Sequence, residues 1–545
     1  MTPTAPRTRA FLAVALVLGV SARVLFYLAR PSLTIDETTL ALDIGMRSFR
    51  DLLHPLASLQ TGPPLFLLGV KLCTVIGGVN EYALRLIPLT AGVVIPYLVW
   101  KVGRRVLPEP AAALATVLAA LAPALIQYTV TAKPYITDAL VALLFLWCTL
   151  DVLDHPDGVG VWAWWVGAGV LAVLSSIPAP FLLAGAAVAV ILEVRPLTRR
   201  TAGRLVAGIA VWGAGWILLY TQLYRPVAGS WYMQQFWGPA AFTATRADGW
   251  WNLARSVFMS LGGRAAPPAV ILPCAVLLVA GFRVWLRRLS RGVAALIAVP
   301  LALLLVASAL QRYPLAARLL IFAVPAFVCA LAALSSDATG RWTRRGWIVG
   351  GIAVPAFIGV MVSHPYRPAS TRQAVDSLER WAKPGEAIYV ASGGIPSWAF
   401  YSTDWTRPDT AYLDWIERQA GRPGAAAFHN TPPRGHAVGV GDGDSLWTWR
   451  AGRIELLGLA SGIQWREGRG FGIPVVADSG WSSREAARIR AVASPTVLLF
   501  EANAYPTTVQ QLHAAIAELG GTAVTETAVG GVRVTRFRFP PDHRS

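Results

Sequence analysis

Asp36 and Glu37 are adjacent carboxylates a few residues past the first long apolar run, which spans about Phe11 to Tyr27. Charged residues at the mouth of a membrane helix are costly in bilayer surroundings and mark functional positions. Three more patches of unusual residues follow. One is Gln60-Thr61-Gly62-Pro63-Pro64; another is Lys133-Pro134-Tyr135, with Asp138 one turn later; the third is Arg312-Tyr313-Pro314, with Arg318 after it. A carboxylate can act as a general base on a hydroxyl. Arg holds a phosphate by a planar fork, and Lys holds it as a point charge. A carboxylate and two cations around a cavity at headgroup level suit a reaction on a lipid-linked phosphate. The phosphate would leave, and the acid would activate the acceptor.

These residues also have structural readings, and the sequence leaves both open. Lys133 and Arg312 fit side chains that snorkel at the interface. Asp138 fits a helix-start charge or a partner of Lys133. Glu37 fits a cap or an orienter of Asp36. Arg85 fits an interface anchor as well as a site residue. His54 reads as a surface residue.

The elements that must position them are membrane helices. The chain has 545 residues, 55% of them apolar and only 14% charged. A soluble chain has about 25% charged. Long apolar stretches recur from residue 11 to residue 363, so the chain reads as a polytopic membrane protein. The net charge of +18 does not point to nucleic acid, because the basic residues sit in short clusters between apolar runs. Cys73, Cys148, Cys274 and Cys329 all lie in apolar stretches, with no disulfide or metal spacing. The first apolar run shows no convincing small-residue cleavage site and reads as an uncleaved helix.

Eleven spans are expected, at about 11–29, 83–101, 111–128, 135–152, 161–177, 179–194, 205–222, 266–283, 293–310, 315–334 and 346–363. The stretch from Pro63 to Val79 is ambiguous, and the positive-inside rule decides it. If it does not cross, the clusters at Lys101/Arg104/Arg105, Arg195/Arg199/Arg200, Arg283/Arg287/Arg288 and Arg341/Arg344/Arg345 share the side of Arg7 and Arg9. If it crosses, every cluster flips. Residues 63–79 are therefore read as a helix lying in the interface. The N-terminus is then cytoplasmic. The Asp36-Glu37 loop, the Lys133 loop, residues 223–265, the Arg312 loop and everything after residue 363 lie outside. Loop 223–265 carries Trp231, Tyr232, Phe236, Trp237, Trp250 and Trp251. It reads as an aromatic belt, or as a mobile segment that closes over a lipid-linked substrate.

The tail is polar. Strand-like runs at Ala387–Ala391, Thr496–Phe500, Thr522–Thr527 and Gly531–Phe537 alternate with helical patterns. Ser482, Ser483 and Glu485 start one helix, and Thr507–Leu519 ends at Gly520-Gly521. Gly441-Asp442-Gly443-Asp444 lacks the context of a nucleotide or metal loop. The expected fold class is an α-helical polytopic membrane protein over residues 1–363, followed by an extracytoplasmic α/β domain over 364–545.

The stretches Ile35-Asp36-Glu37-Thr38, Leu52-Leu53-His54-Pro55-Leu56, Gln60 to Phe66 and Glu81 to Leu89 resemble the GT-C class of membrane glycosyltransferases. That class includes the protein O-mannosyltransferases and the aminoarabinose transferases. Lys133 to Asp138 and Tyr313 to Phe322 continue the resemblance more loosely. The resemblance implies inverting transfer of a sugar from a polyprenyl-phosphate donor to an acceptor hydroxyl. The acceptor would be a cell-envelope glycan, lipid or protein at the outer face of the cytoplasmic membrane. Asp36 would be the base, with Glu37 beside it, and Lys133 and Arg318 would hold the donor phosphate. Gln60, Arg85, Tyr135, Asp138, Arg312 and Tyr313 would shape the site. Many relatives carry His or an acid just before the Pro-Pro pair, and some bind a divalent metal there. Here the residue is Gly62, so a divalent metal is left open.

Two rival readings stand beside this one. A transporter or lipid flippase with an outward polar cavity would often show an inverted repeat, and the chain shows none. A membrane anchor whose α/β domain binds a partner would not need Asp36, Lys133 and Arg318.

Overall fold

A computed structural model describes residues 6–229, 231–264, 266–336, 344–363, 370–383, 386–408, 446–447, 455–457, 480–492, 495–504, 506–529 and 531–540. Packing divides the chain into two compact units. One comprises Met1–Arg30, Gly62–Tyr224 and Ala240–Tyr366; the other comprises Pro31–Thr61, Arg225–Pro239 and Arg367–Ser545. The segment that carries Asp36 thus belongs to the same unit as the tail.

The first unit is helical. Five of its helices are long and apolar enough to cross a membrane: Glu81–Val106, Tyr135–Asp154, Arg199–Ala228, Pro268–Leu286 and Arg291–Ala309. Glu109–Leu121 and Pro123–Thr129 add a sixth if the pair, bent by 50°, counts as one span. The expected eleven spans are not met by length among the described residues. The shorter apolar helices include Leu12–Leu28, Val159–Ser175, Ala179–Glu193 and Ala317–Ala333. Helices of 17 and 15 residues, as at 159–175 and 179–193, reach about 23–26 Å. A bilayer core needs about 30 Å. Prolines account for several of the short pieces. Ala122 stands before Pro123 with ψ 116°, outside the helical region, because a proline disfavours helix at the residue before it. Ser176-Ile177-Pro178 separates the next pair in the same way.

The break at Pro123 has a dedicated partner. Proline lacks the N–H that would have bonded the Ala119 carbonyl. Arg23 of the first helix supplies donors instead, Nη2 to Ala119 O at 3.1 Å and Nη1 to Ala120 O at 2.6 Å. Its guanidinium is fully buried. The approach is close because residue 19 is glycine; a Cβ there would stand 2.7 Å from Ala120 O. The same helix ends against the next long one. Tyr27 Oη donates to Tyr82 O at 2.9 Å, Tyr82 Oη donates to Leu28 O at 3.1 Å, and Arg30 pairs with Glu81 at 2.9 Å.

Pro64–Gly77 is a 14-residue helix that opens on a proline and packs on Glu81–Val106. At about 21 Å it is too short to span alone. Residues 223–265 are largely helical, with Trp231–Trp237 and Ala247–Gly262 inside the expected loop.

The second unit contains a six-stranded sheet. Its strands are β1 Ala387–Val390, β2 Leu446–Trp447, β3 Glu455–Leu457, β4 Thr496–Glu501, β5 Thr522–Val529 and β6 Val532–Arg538. The order is β2-β3-β1-β4-β6-β5, with β1 parallel to both β3 and β4. β1 is buried along its whole length, as a central parallel strand must be. β6 pairs antiparallel with β4 and β5, and Gly531 turns the final hairpin at φ +87°. Helices Trp481–Val492 and Pro506–Glu518 lie where the sequence places them. This is a small α/β fold. Gly441 to Asp444 falls outside the described residues.

Candidate functional site

Asp36 sits at the second position of the helix Ile35–Met46. Thr34 caps that helix: its side chain accepts Glu37 N at 3.4 Å, while Glu37 Oε2 accepts Thr34 N at 2.9 Å and Thr34 Oγ1 at 3.1 Å. This is a reciprocal capping box. Glu37 is fully buried, and Asp36, one residue earlier, is half-buried. The structure therefore matches the capping alternative for Glu37, and its carboxylate acts on its own helix start.

Two turns on, Asp43 is fully buried. It accepts Ala57 N at 3.1 Å and pairs with Arg47 at 2.7 Å. These bonds fold the stretch after the helix back onto it. Leu40, Ile44 and Leu52 of the expected amphipathic stretch are buried, whereas Phe49 and Leu53 are exposed. Leu59 takes a left-handed φ of 54°, and Gln60 follows a short 3-10 turn at Ala57–Leu59. Asp36, Glu37 and Gln60 thus belong to one unit, and a buried carboxylate that the sequence reading missed helps to tie their segment together.

The other expected residues lie in the first unit. Arg85 is buried in the first turns of Glu81–Val106, whose N-terminus is capped by Asn80 accepting Ala83 N at 3.0 Å. Lys133 is buried in the tight turn before Tyr135–Asp154, its own N–H on Thr131 O at 2.7 Å. Tyr135 stacks edge-on against Tyr128 at 5.4 Å. Asp138 is buried in the first turn of the same helix. Tyr313 is half-buried, donates its hydroxyl to Leu319 O at 3.2 Å and meets Phe181 edge-on at 5.3 Å. Arg318 is half-buried in the 3-10 helix Ala317–Ala323. Arg312 is exposed, in the turn that follows Gln311 at φ 57°.

Within this unit Asp138, Tyr135 and Tyr313 share one electrostatic neighbourhood, and the structure adds Ser176 and Tyr224 to it. Asp138 Oδ1, Ser176 Oγ and Tyr224 Oη are buried, and the Asp138 carboxyl faces the Ser176 hydroxyl and the Ile177 backbone. Sequence reading missed Ser176 and Tyr224, because a single Ser or Tyr inside an apolar run carries no spacing signal.

For a metal, no group of three or more His, Cys, Asp or Glu among the described residues has suitable geometry. Position 62 offers no ligand either, and a Cβ there would stand 2.8 Å from Leu67. Among the described residues, then, no candidate metal site is formed.

Sequence comparison with curated proteins gives no match. The family model of dolichyl-phosphate-mannose-protein mannosyltransferases matches residues 61–220. In fold, the chain is similar to ArnT from Cupriavidus metallidurans bound to undecaprenyl phosphate. The TM-score is 0.55 at 14% identity, over 98% of this chain and 98% of that one. The family match is confined to residues 61–220, and the likeness to the solved structure is one of fold. The archaeal oligosaccharyltransferase of Archaeoglobus fulgidus is also similar to this chain, with a TM-score of 0.45 at 16% identity, over 90% of this chain and 67% of that one.

Proposed function

We propose that this chain is a GT-C glycosyltransferase, which transfers a sugar, with inversion, from a polyprenyl-phosphate donor to an acceptor hydroxyl at the outer face of the cytoplasmic membrane. Asp36 takes the proton from the acceptor hydroxyl as that oxygen attacks the anomeric carbon. The bond from the anomeric carbon to the phosphate oxygen breaks, and the polyprenyl phosphate leaves with the bonding pair. Lys133 and Arg318 hold the phosphate, with Arg85 and Arg312 adding positive charge. Tyr135, Asp138, Tyr313, Ser176 and Tyr224 line the sugar pocket, and Gln60 borders the base. The acceptor is a glycan, lipid or protein of the cell envelope, and membrane lipids surround the first unit.

One observation supports this assignment of roles best. Of the two adjacent acids, Glu37 is spent on the helix cap, while Asp36 is half-buried at the same helix start.

The test is sugar release from labelled polyprenyl-phosphate mannose and polyprenyl-phosphate aminoarabinose by the purified chain, with Asp36→Asn beside it. Turnover that is lost in the variant, with donor binding intact, supports the reading. Turnover that survives Asp36→Asn removes Asp36 as the base.

A further inference from the structure

The helix that carries Asp36 is held at both ends by the far tail. Leu33 N, three residues before Asp36, donates to Tyr401 Oη at 2.7 Å. Leu33 is buried, so its N–H has no access to solvent. Ser32 Oγ accepts Arg372 N at 3.3 Å. That N–H belongs to the first turn of Thr371–Trp381, where helix amides lack partners of their own, and Ser370 provides no side-chain cap. The tail's helix is thus capped by a residue of the Asp36 segment. At the other end, Gly45 lies under the indole of Trp405. A Cβ at Gly45 would stand 2.4 Å from the ring. Trp405 is itself fixed: its Nε1 donates to Phe400 O at 3.1 Å and its ring packs on Phe400 at 5.2 Å. Helix Ile395–Ser402, which carries Phe400 and Tyr401, packs on Ile35–Met46.

We infer that Tyr401 and Trp405 are positioning residues for the reaction. They set the height and tilt of the Asp36 helix, so the α/β tail works as the clamp of the base. The inference rests on the reading of Asp36 as the base. Both residues act through the backbone of that helix, and neither touches the reacting atoms. Their loss should change turnover and leave donor affinity alone, since a small misplacement of a reacting group is enough to cost about 10²-fold in rate.

The experiment uses the full chain in nanodiscs and the polyprenyl-phosphate sugar that the wild type turns over. Rates are expressed per folded molecule. Tyr401→Phe removes one hydrogen bond and is expected to lower kcat up to about tenfold with KM for the donor unchanged. Gly45→Ala pushes the helix off the indole and is expected to lower kcat by about 10²-fold, again at constant KM. Trp405→Leu alone removes the indole without pushing on the helix, and it too should lower kcat at constant KM. A purely structural role would reduce the folded yield without moving kcat. Wild-type kcat in Tyr401→Phe and Gly45→Ala, with Asp36→Asn inactive, overturns the clamp. Activity retained in Asp36→Asn overturns the base reading instead, so the two failures are distinguishable.

Discussion

The carboxylate of Glu37 takes the N–H of Thr34 at 2.9 Å, and Thr34 in turn accepts the N–H of Glu37. Two neighbouring acids are thereby given separate work. Glu37→Gln keeps a group that can fill the same cap, so its activity is expected to stay near wild type, with a stability loss of about 1 kcal/mol or less. Asp36→Asn is expected to lower kcat by about 10²–10⁴-fold, the usual worth of a general base, with the melting temperature unchanged. Parallel turnover and thermal-unfolding assays check both. Equal losses of rate in the two variants would sink the division of roles.

Asp138, Ser176 and Tyr224 place three buried polar groups in one electrostatic neighbourhood. If they read sugar hydroxyls, removing one should change which sugar is preferred. Tyr224→Phe is expected to shift the kcat/KM ratio between two epimeric donors by about tenfold or more, because polar groups left unpaired discriminate strongly. Competition between mannosyl and epimeric polyprenyl phosphates measures the ratio. An unchanged ratio would return Tyr224 to a packing role.

Arg23 stands in for the N–H that Pro123 lacks. Arg23→Leu leaves the Ala119 and Ala120 carbonyls without those donors inside the bundle. The expected cost is about 1–3 kcal/mol for each carbonyl that finds no substitute. It would be read as a fall in melting temperature in detergent. Arg23→Lys should recover part of it. A melting temperature unchanged in Arg23→Leu would mean that water or lipid reaches the break.

Tyr389 donates to Glu485 Oε2 at 2.8 Å inside the tail. Burial, and then the Glu485 carboxylate, hold its phenol well above the ordinary tyrosine range. The folded state prefers the neutral form, so this contribution to stability is complete below about pH 10, the unfolded value, and is lost as pH rises further toward the folded one. Hydrogen exchange of the β1 amides is expected to quicken above that pH in the wild type. Tyr389→Phe should show less alkaline sensitivity, along with a lower plateau below it. Identical alkaline profiles would remove Tyr389 as the cause.

Much of this was written in local patterns. The tail's strands alternate with its helices in the sequence, and β4, β5 and β6 lie where β-branched and aromatic residues cluster. The Pro63-Pro64 pair marks a helix start, and the short run after it limits its reach. Thr34-x-x-Glu37 is itself a cap signature, but the adjacency of two acids drew the reading toward chemistry. Pro123 was a legible break inside a supposed span, whereas Pro178 already stood between two expected spans. The grip of Tyr401 on Leu33 was not legible. No periodicity reports a contact between residues that far apart, and a tyrosine hydroxyl near a helix end looks the same whether or not it has a partner.

Leu33 and Tyr401 are 368 positions apart, and Ser32 and Arg372 are 340 apart. A ribosome adds about 5–20 residues per second, so on the order of tens of seconds pass between emergence of the first member of each pair and the second. For that interval the Asp36 helix has its cap but neither of these holds. Helices of the first unit have near neighbours and can pack early, whereas these two long-range contacts must wait for Arg372 and Tyr401. A nascent or prematurely ended chain would sit in the membrane with its acid unaligned. Competence for chemistry would then arrive only after Tyr401 has been made.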